Sequence, residues 1–119
     1  MSGSLVRALV VVATVATFAT GCEFAVSPEK RLARAESALA QGDTGAAIVD
    51  LKNVLQKDAG NAHARLLLAQ AELARGDVGA AEADFGKVDA ASVAPAEYLE
   101  TKWRLAQLRG QNEEVVAGL

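Results

Sequence analysis

Beyond position 27, apolar residues recur at spacings of three and four, the period of one face of an amphipathic helix. Pro28 suits the first turn of a helix, and Ser27 before it can cap the free backbone N–H groups. Good helix formers follow until Gly42, where a left-handed residue can end the helix. Asp43 or Thr44 can cap a second helix. The apolar positions of that second helix are Ala47, Ile48, Leu51, Val54 and Leu55.

This pattern returns with a period of 34 residues. Gly42, Gly76 and Gly110 are separated by 34 positions each, and residues 28–61 share 12 of 34 identities with residues 62–95 without a gap. An internal repeat of this length is typical of stacked helical hairpins. The sequence therefore predicts antiparallel helix pairs that turn at the three glycines. A third, incomplete pair is predicted from an apolar stripe at Leu99, Trp103, Ala106 and Leu108, followed by Val115 and Leu119.

Small residues stand where the two helices of each pair should meet. Helix axes lie about 8–10 Å apart, and closer when the contact residues are small. We expect Leu51 and Phe85 to fill the gap to the following pair. Trp103 is interpreted as a core residue or a plug between repeats rather than as a binding anchor. The predicted small contacts are Ala35, Ala47, Ala69 and Ala81.

The N-terminal segment has a different pattern. Arg7 precedes an uncharged stretch over residues 8–21, the layout of a secretory signal. The stretch is shorter than the roughly 20 residues that a spanning helix needs, so a permanent transmembrane anchor is the weaker hypothesis. Residues 19–22, Ala-Thr-Gly-Cys, resemble the bacterial lipobox. That resemblance implies a signal peptide over 1–21, lipidation of Cys22, a tether over 22–27 and a periplasm-facing lipid anchor, whereas the alternative is an inert cysteine. Glu23 in place of Asp favours the outer over the inner membrane.

The composition of the chain argues against several classes of binding and catalytic site. The chain has 12 basic and 15 acidic residues, one histidine and one cysteine, which argues against a nucleic-acid surface, a disulfide framework and a cysteine-rich zinc site. His63 lacks partners at ligand spacing, and Asp43 and Asp77 suit helix N-caps better than a carboxylate pair. We therefore expect no enzyme activity, metal, cofactor or small-molecule substrate. The basic cluster Lys30, Arg31 and Arg34 is interpreted as a solvated helix face rather than a headgroup contact.

The 34-residue period and the placing of Ala35, Ala47, Ala69 and Ala81 resemble the tetratricopeptide repeat family. The resemblance implies an all-α solenoid of about 2.5 repeats, over 28–61, 62–95 and an incomplete 96–119, after an N-terminal signal helix. The closing proline of the family pattern is absent. In this family the first helix of each pair lines a protein-binding groove, which implies a non-enzymatic scaffold. By register, the groove residues would be Glu29, Leu32, Glu36, Leu39, His63, Leu66, Gln70, Leu73, Glu97, Glu100 and Arg104.

The run from Gly42 to Phe85, directly after a lipobox, is similar to the tetratricopeptide-repeat lipoproteins of PEP-CTERM and exosortase systems. This similarity implies a scaffold for periplasmic or envelope proteins in exopolysaccharide assembly, and a chain that is part of a longer repeat array. Two alternatives stay open. One is a pilotin-like or outer-membrane-assembly lipoprotein, and the other is the docking arm of an enzyme whose catalytic domain lies elsewhere in a longer chain.

Overall fold

The structure of the protein is a computed structural model that describes residues 26–118, without the side chains of residues 114–116. The predicted signal peptide over 1–21, Cys22, the side chain of Val115 and Leu119 lie outside this description. In the described range the chain is all-α, with a short 3₁₀ turn at Ala90–Ser92 and no strand. Its helices are α1 (Pro28–Ala40), α2 (Thr44–Lys57), α3 (Ala62–Ala74), α4 (Val78–Phe85) and α5 (Pro95–Ala117).

The first two turns form as predicted. Gly42 and Gly76 adopt φ values of +78° and +80°, a left-handed conformation that favours glycine. The aspartate after each glycine caps the next helix: Asp43 accepts a hydrogen bond from the backbone N–H of Ala46 at 3.1 Å, and Asp77 accepts one from Ala80 at 3.2 Å. Each pair of adjacent helices therefore runs antiparallel around a tight, capped turn.

Two apolar clusters hold the stack together. The first joins α1, α2 and α3 around Leu51, which is completely buried. The second joins α3 to Phe85 of α4 and continues onto α5, where the Phe85 and Tyr98 rings stack with centroids 4.7 Å apart. Leu51 and Phe85 thus pack against the following helix, as predicted from the sequence. The predicted small contacts Ala35, Ala47, Ala69 and Ala81 are all fully buried.

Each complete helix pair also contains an ion pair between its two helices. Arg31 donates to Asp50 at 3.2 Å in the first pair, and Arg65 donates to Asp84 at 2.9 Å at the same positions of the second. Arg34 donates a further hydrogen bond to Asp50 at 3.1 Å. The hydrogen bond from Arg34 is the main reason why the pKa of Asp50 lies below its ordinary value. The interpretation of this basic cluster as a solvated helix face is wrong for Arg31, whose side chain is 26% exposed and pairs with a buried carboxylate, whereas Lys30 and Arg34 are exposed.

The predicted third turn does not form. Helix α5 runs without a break from Pro95 to Ala117, with Gly110 inside it. The two real turns are followed by aspartate, whose side chain satisfies a free N–H of the next helix, but Gly110 is followed by Gln111. Glutamine is a poor N-cap, so the backbone keeps its helical hydrogen bonds through the glycine. The prediction of a turn at Gly110 was wrong for this reason.

The interpretation of Trp103 as a core residue or plug was also wrong. The Trp103 side chain is 66% exposed and that of Leu99 is 62% exposed. The face of α5 that packs against the preceding helices instead contains Tyr98, Thr101 and Leu105. Trp103 occupies the repeat position of Ala35 and Ala69, the side of a first helix that contacts its own second helix. Because α5 continues through Gly110, no second helix covers this side within the described residues.

Candidate functional site

The first helices of successive units, α1, α3 and α5, form the sides and floor of a groove with a volume of about 300 Å³. Helix α1 contributes Glu36 at one side. Helix α5 contributes a mainly polar set at the other side. The residues that line the groove are Glu36, His63, Leu67, Gln70, Leu73, Glu97, Glu100, Thr101 and Arg104.

The repeat register explains why these residues meet. Residues separated by four and then three positions lie on one face of a helix. His63, Leu67 and Gln70 follow this spacing on α3, and 34 residues later Glu97, Thr101 and Arg104 follow it on α5. Two stacked copies of one helical stripe therefore face the same groove.

Hydrogen bonds fix the groove at both sides of α3. His63 Nε2 lies 2.8 Å from Glu36 Oε1, which links α3 to α1. Gln70 Nε2 donates to Thr101 Oγ1 at 3.0 Å, which links α3 to α5. Thr101 is almost fully buried, and its hydroxyl donates in turn to the backbone carbonyl of Glu97 at 2.8 Å. The groove floor is therefore held by side chains that are already paired.

The groove rim is charged and open to solvent. Glu100 pairs with Arg104 at 2.9 Å, and both side chains are 62% exposed. Glu36 is half exposed beside His63. Glu97 has no ion-pair partner among residues 26–118. Three carboxylates share the groove with one guanidinium and one imidazole, so acidic side chains outnumber basic ones there.

The structure brings together part of the predicted groove. Glu36, His63, Gln70, Leu73, Glu97, Glu100 and Arg104 line it together. Glu29, Leu32 and Leu39 do not line it, and the latter two pack against the first apolar cluster. Leu66 is completely buried in the second cluster, where a ligand could not reach it.

Sequence reasoning missed Leu67 and Thr101. A spacing of three was applied after His63 and Glu97, which selects Leu66 and Glu100. A spacing of four selects Leu67 and Thr101 instead, and their side chains contribute to the groove. Both spacings keep residues on nearly the same helix face, so the sequence contains no signal that separates Leu67 from Leu66.

A second polar cluster lies between α3 and α4, away from the groove. Glu72 is 5% exposed, and its Oε2 atom has no hydrogen-bond partner. Burial disfavours its charged form, and the neighbouring carboxylate of Asp84 adds to the effect, so the pKa of Glu72 is raised to about 7. Lys52 acts in the opposite direction. The position one repeat earlier is Ala38, and Asp50 there has two arginine partners instead of a second acid.

Antiparallel helix pairs, stacked in register with a groove along their first helices, define a helical-repeat scaffold of the solenoid class. The family model described as tetratricopeptide repeat matches residues 38–102, more than half of the chain. The chain therefore belongs to the tetratricopeptide repeat family. No curated protein and no solved structure matches it. Repeats of this family suggest a scaffold for protein–protein interactions.

Proposed function

We propose that the protein is a non-catalytic scaffold that holds a segment of a partner protein in the groove between α1, α3 and α5. The single observation that carries this proposal is the groove itself, since equivalent polar stripes of two repeats converge on it. Its rim side chains are exposed, while its floor is held by the Gln70–Thr101 hydrogen bond. A pre-organised floor lowers the entropy lost when a ligand binds.

Site-specific photo-crosslinking tests this use of the groove. A photoreactive amino acid replaces Gln70 in the groove or, as the matched control, Lys57 at the exposed end of α2. Both proteins are irradiated in cells that express the full chain. We expect crosslinked adducts with a partner protein from position 70 and none from position 57. Equal adduct patterns at both positions, or adducts from position 57 alone, would contradict the assignment of the groove as the binding site.

Membrane tethering through Cys22 forms the second part of the proposal. Residues 1–22 support it through the positive charge at Arg7, the uncharged stretch that follows and the lipobox-like end. None of the helices in the described range combines the length and apolarity that a membrane crossing requires. Two or three acyl chains on Cys22 would hold the protein on the bilayer, since each buried methylene contributes about 0.8 kcal/mol.

Replacing the cysteine tests the tether. Cys22→Ser should abolish labelling by a fatty-acid analogue and move the protein from the membrane to the soluble fraction. Ser27→Ala, which leaves the lipobox-like sequence intact, serves as a control and should keep the label. Labelling that survives in Cys22→Ser would refute the lipoprotein hypothesis.

We further propose that the partner belongs to envelope assembly, specifically to exopolysaccharide production linked to PEP-CTERM and exosortase systems. The similarity of residues 42–85 to repeat lipoproteins of those systems supports this context. Deletion of the gene should reduce secreted exopolysaccharide, and the full chain should restore it. Unchanged polysaccharide together with unchanged sorting of exosortase substrates would contradict this role while leaving the scaffold function intact.

A further inference from the structure

We propose that the segment held in the groove is extended and positively charged, with two Lys or Arg side chains on either side of an apolar or small residue. This inference rests on the proposed scaffold function and specifies the chemistry of its partner. It depends on three features: the sign of the charge at the rim, its distribution across the groove, and the leucines of the floor.

The sign of the charge comes from the groove residues themselves. Glu36, Glu97 and Glu100 share the groove with one guanidinium, that of Arg104, and with the imidazole of His63. Arg104 already pairs with Glu100 and His63 contacts Glu36, which leaves Glu97 without an ion-pair partner among the described residues. Clefts lined by one sign of charge attract ligands of the opposite sign and repel ligands of the same sign. A segment rich in Asp or Glu would bring like charges together here.

The acids lie on the two outer helices of the groove rather than at one point. Glu36 is on α1, Glu97 and Glu100 are on α5, and α3 lies between these helices. The acidic side chains lean inward from these helices, since Glu36 Oε1 lies 2.8 Å from His63 Nε2 of α3. A segment that meets both acidic sides must cross α3, and an extended chain, which advances about 3.3 Å per residue, does so with the fewest residues. One cationic side chain on each side of α3 would then reach one acidic side.

The floor between the acidic sides combines the hydrogen-bonded pair Gln70–Thr101 with two leucines. Leu67 and Leu73 line it and are 8% and 7% exposed. Their exposed surface gives an apolar or small side chain of the ligand a nonpolar contact. The Nε2 atom of Gln70, between them in sequence, donates to Thr101. The ligand class is therefore cationic–apolar–cationic in an extended conformation.

Selection from a random peptide library tests this class directly. The full chain is immobilised and used to select peptides of about nine residues, and the selected pool is compared with one from the Glu97→Gln/Glu100→Gln variant. Glu29→Gln is the matched control, because Glu29 lies on the same set of helices but outside the groove. Arg104→Gln is a control for which the opposite effect is expected, since it removes the arginine that competes with a cationic ligand for Glu100.

We expect peptides enriched in Lys and Arg on both sides of an apolar or small residue. A selected peptide should bind the double variant roughly three- to tenfold more weakly, bind Glu29→Gln unchanged and bind Arg104→Gln about two- to threefold more tightly. Salt at about 0.5 M should weaken binding to the natural chain more than to the double variant.

The other outcomes distinguish a failure of the cationic ligand class from a failure of the proposed scaffold function. Enrichment of acidic or neutral peptides whose binding is lost on Gln70→Arg would overturn the cationic ligand while supporting the groove as a binding site. Cationic peptides that bind the double variant as tightly as the natural chain would overturn the assignment to these carboxylates. Selection of no peptide above the bare support would contradict both proposals.

Discussion

At the scale of single residues, the two repeats differ in the hydrogen-bond partners and neighbours of the aspartate at positions 50 and 84. Asp50 accepts hydrogen bonds from Arg31 and Arg34, whereas Asp84 accepts one from Arg65 and lies beside a second carboxyl group, that of Glu72. The arginines lower the pKa of Asp50, whereas burial and the neighbouring Asp84 raise the pKa of Glu72. The two shifted carboxyl groups, Asp50 in the first repeat and Glu72 in the second, therefore affect the pH dependence of stability in opposite directions.

Glu72 gives the first prediction. Its pKa of about 7 in the folded protein lies above the ordinary value of 4.5, so the unfolded chain loses its proton first as pH rises. The free energy of unfolding should therefore fall between about pH 4.5 and 7 and level off above that range. Glu72→Gln cannot ionise and should be more stable than the natural chain at about pH 8, by roughly 1–3 kcal/mol.

Denaturant unfolding at about pH 5 and pH 8 measures this difference. Glu113→Gln, which alters an exposed i,i+4 pair with Arg109, is the control and should change stability by less than about 0.5 kcal/mol at both values. If Glu72→Gln lost stability as steeply as the natural chain over the same interval, the raised pKa would be assigned to the wrong group.

At the scale of elements, the glycines at equivalent repeat positions have opposite roles. Gly42 and Gly76 have positive φ and end their helices, while Gly110 is inside α5 and an added Cβ there would meet no atom within 4 Å. Gly110→Ala should stabilise α5 by roughly 0.5–1 kcal/mol, because glycine is a poor helix former. Gly42→Ala should destabilise the protein by about 1–2 kcal/mol, because alanine is strained at positive φ.

Thermal unfolding of the two alanine variants decides between one long helix and a third hairpin. A rise in Tm for Gly110→Ala and a fall for Gly42→Ala would agree with the continuous α5. A fall of similar size in both variants would mean that Gly110 forms a turn after all, as the repeat period alone predicts.

Trp103 gives a second prediction at this scale. Because it is 66% exposed, Trp103→Ala should change the free energy of unfolding by less than about 0.5 kcal/mol. Phe85→Ala, by contrast, removes a buried ring stacked on Tyr98 and should cost about 3–5 kcal/mol. Chemical denaturation of both variants provides the comparison, and a loss above about 2 kcal/mol for Trp103→Ala would restore its interpretation as a core residue.

The helices and turns up to Phe85 could be predicted because each rests on local chemistry. Ser27, Asp43 and Asp77 accept hydrogen bonds from the first turns of their helices, and the glycines before the last two supply positive φ. The extension of the repeat to Gly110 failed because the period preserved the glycine but not the aspartate after it. A repeat match gives the position of a turn only where both parts of the turn chemistry are present.

The groove could be predicted only in part, because helical spacing does not distinguish neighbouring positions on one face. Leu66 and Leu67 are both leucines in the same turn, yet one is completely buried under Phe85 and the other lines the groove. The choice depends on how α3 is rotated against α2 and α4, which is a property of the packed stack. The ion pair between Arg65 and Asp84 is a similar case: the repeat gave both positions but not their contact.

At the scale of the whole molecule, the stabilities of neighbouring helix pairs should be coupled, because the pairs share one apolar core. Leu51 of α2 is completely buried in a cluster that also contains Ala35 of α1 and Leu68 of α3. In helical-repeat proteins each unit is stabilised by its neighbours, so a loss at this contact should affect both pairs. The outer helix α5, which lacks a second helix of its own in the described range, depends on the same stack.

Leu51→Ala tests this coupling. Removing a fully buried leucine should cost about 2–5 kcal/mol, and amide hydrogen exchange should accelerate in α1 and in α3 to a similar extent. Val49→Ala, on the same helix but 60% exposed, should change stability by less than about 0.5 kcal/mol and leave exchange unaltered. Faster exchange confined to α1 and α2 would mean that the two pairs unfold independently. In that case the groove, which needs α1, α3 and α5 together, could open at its α1 side without loss of the remaining fold.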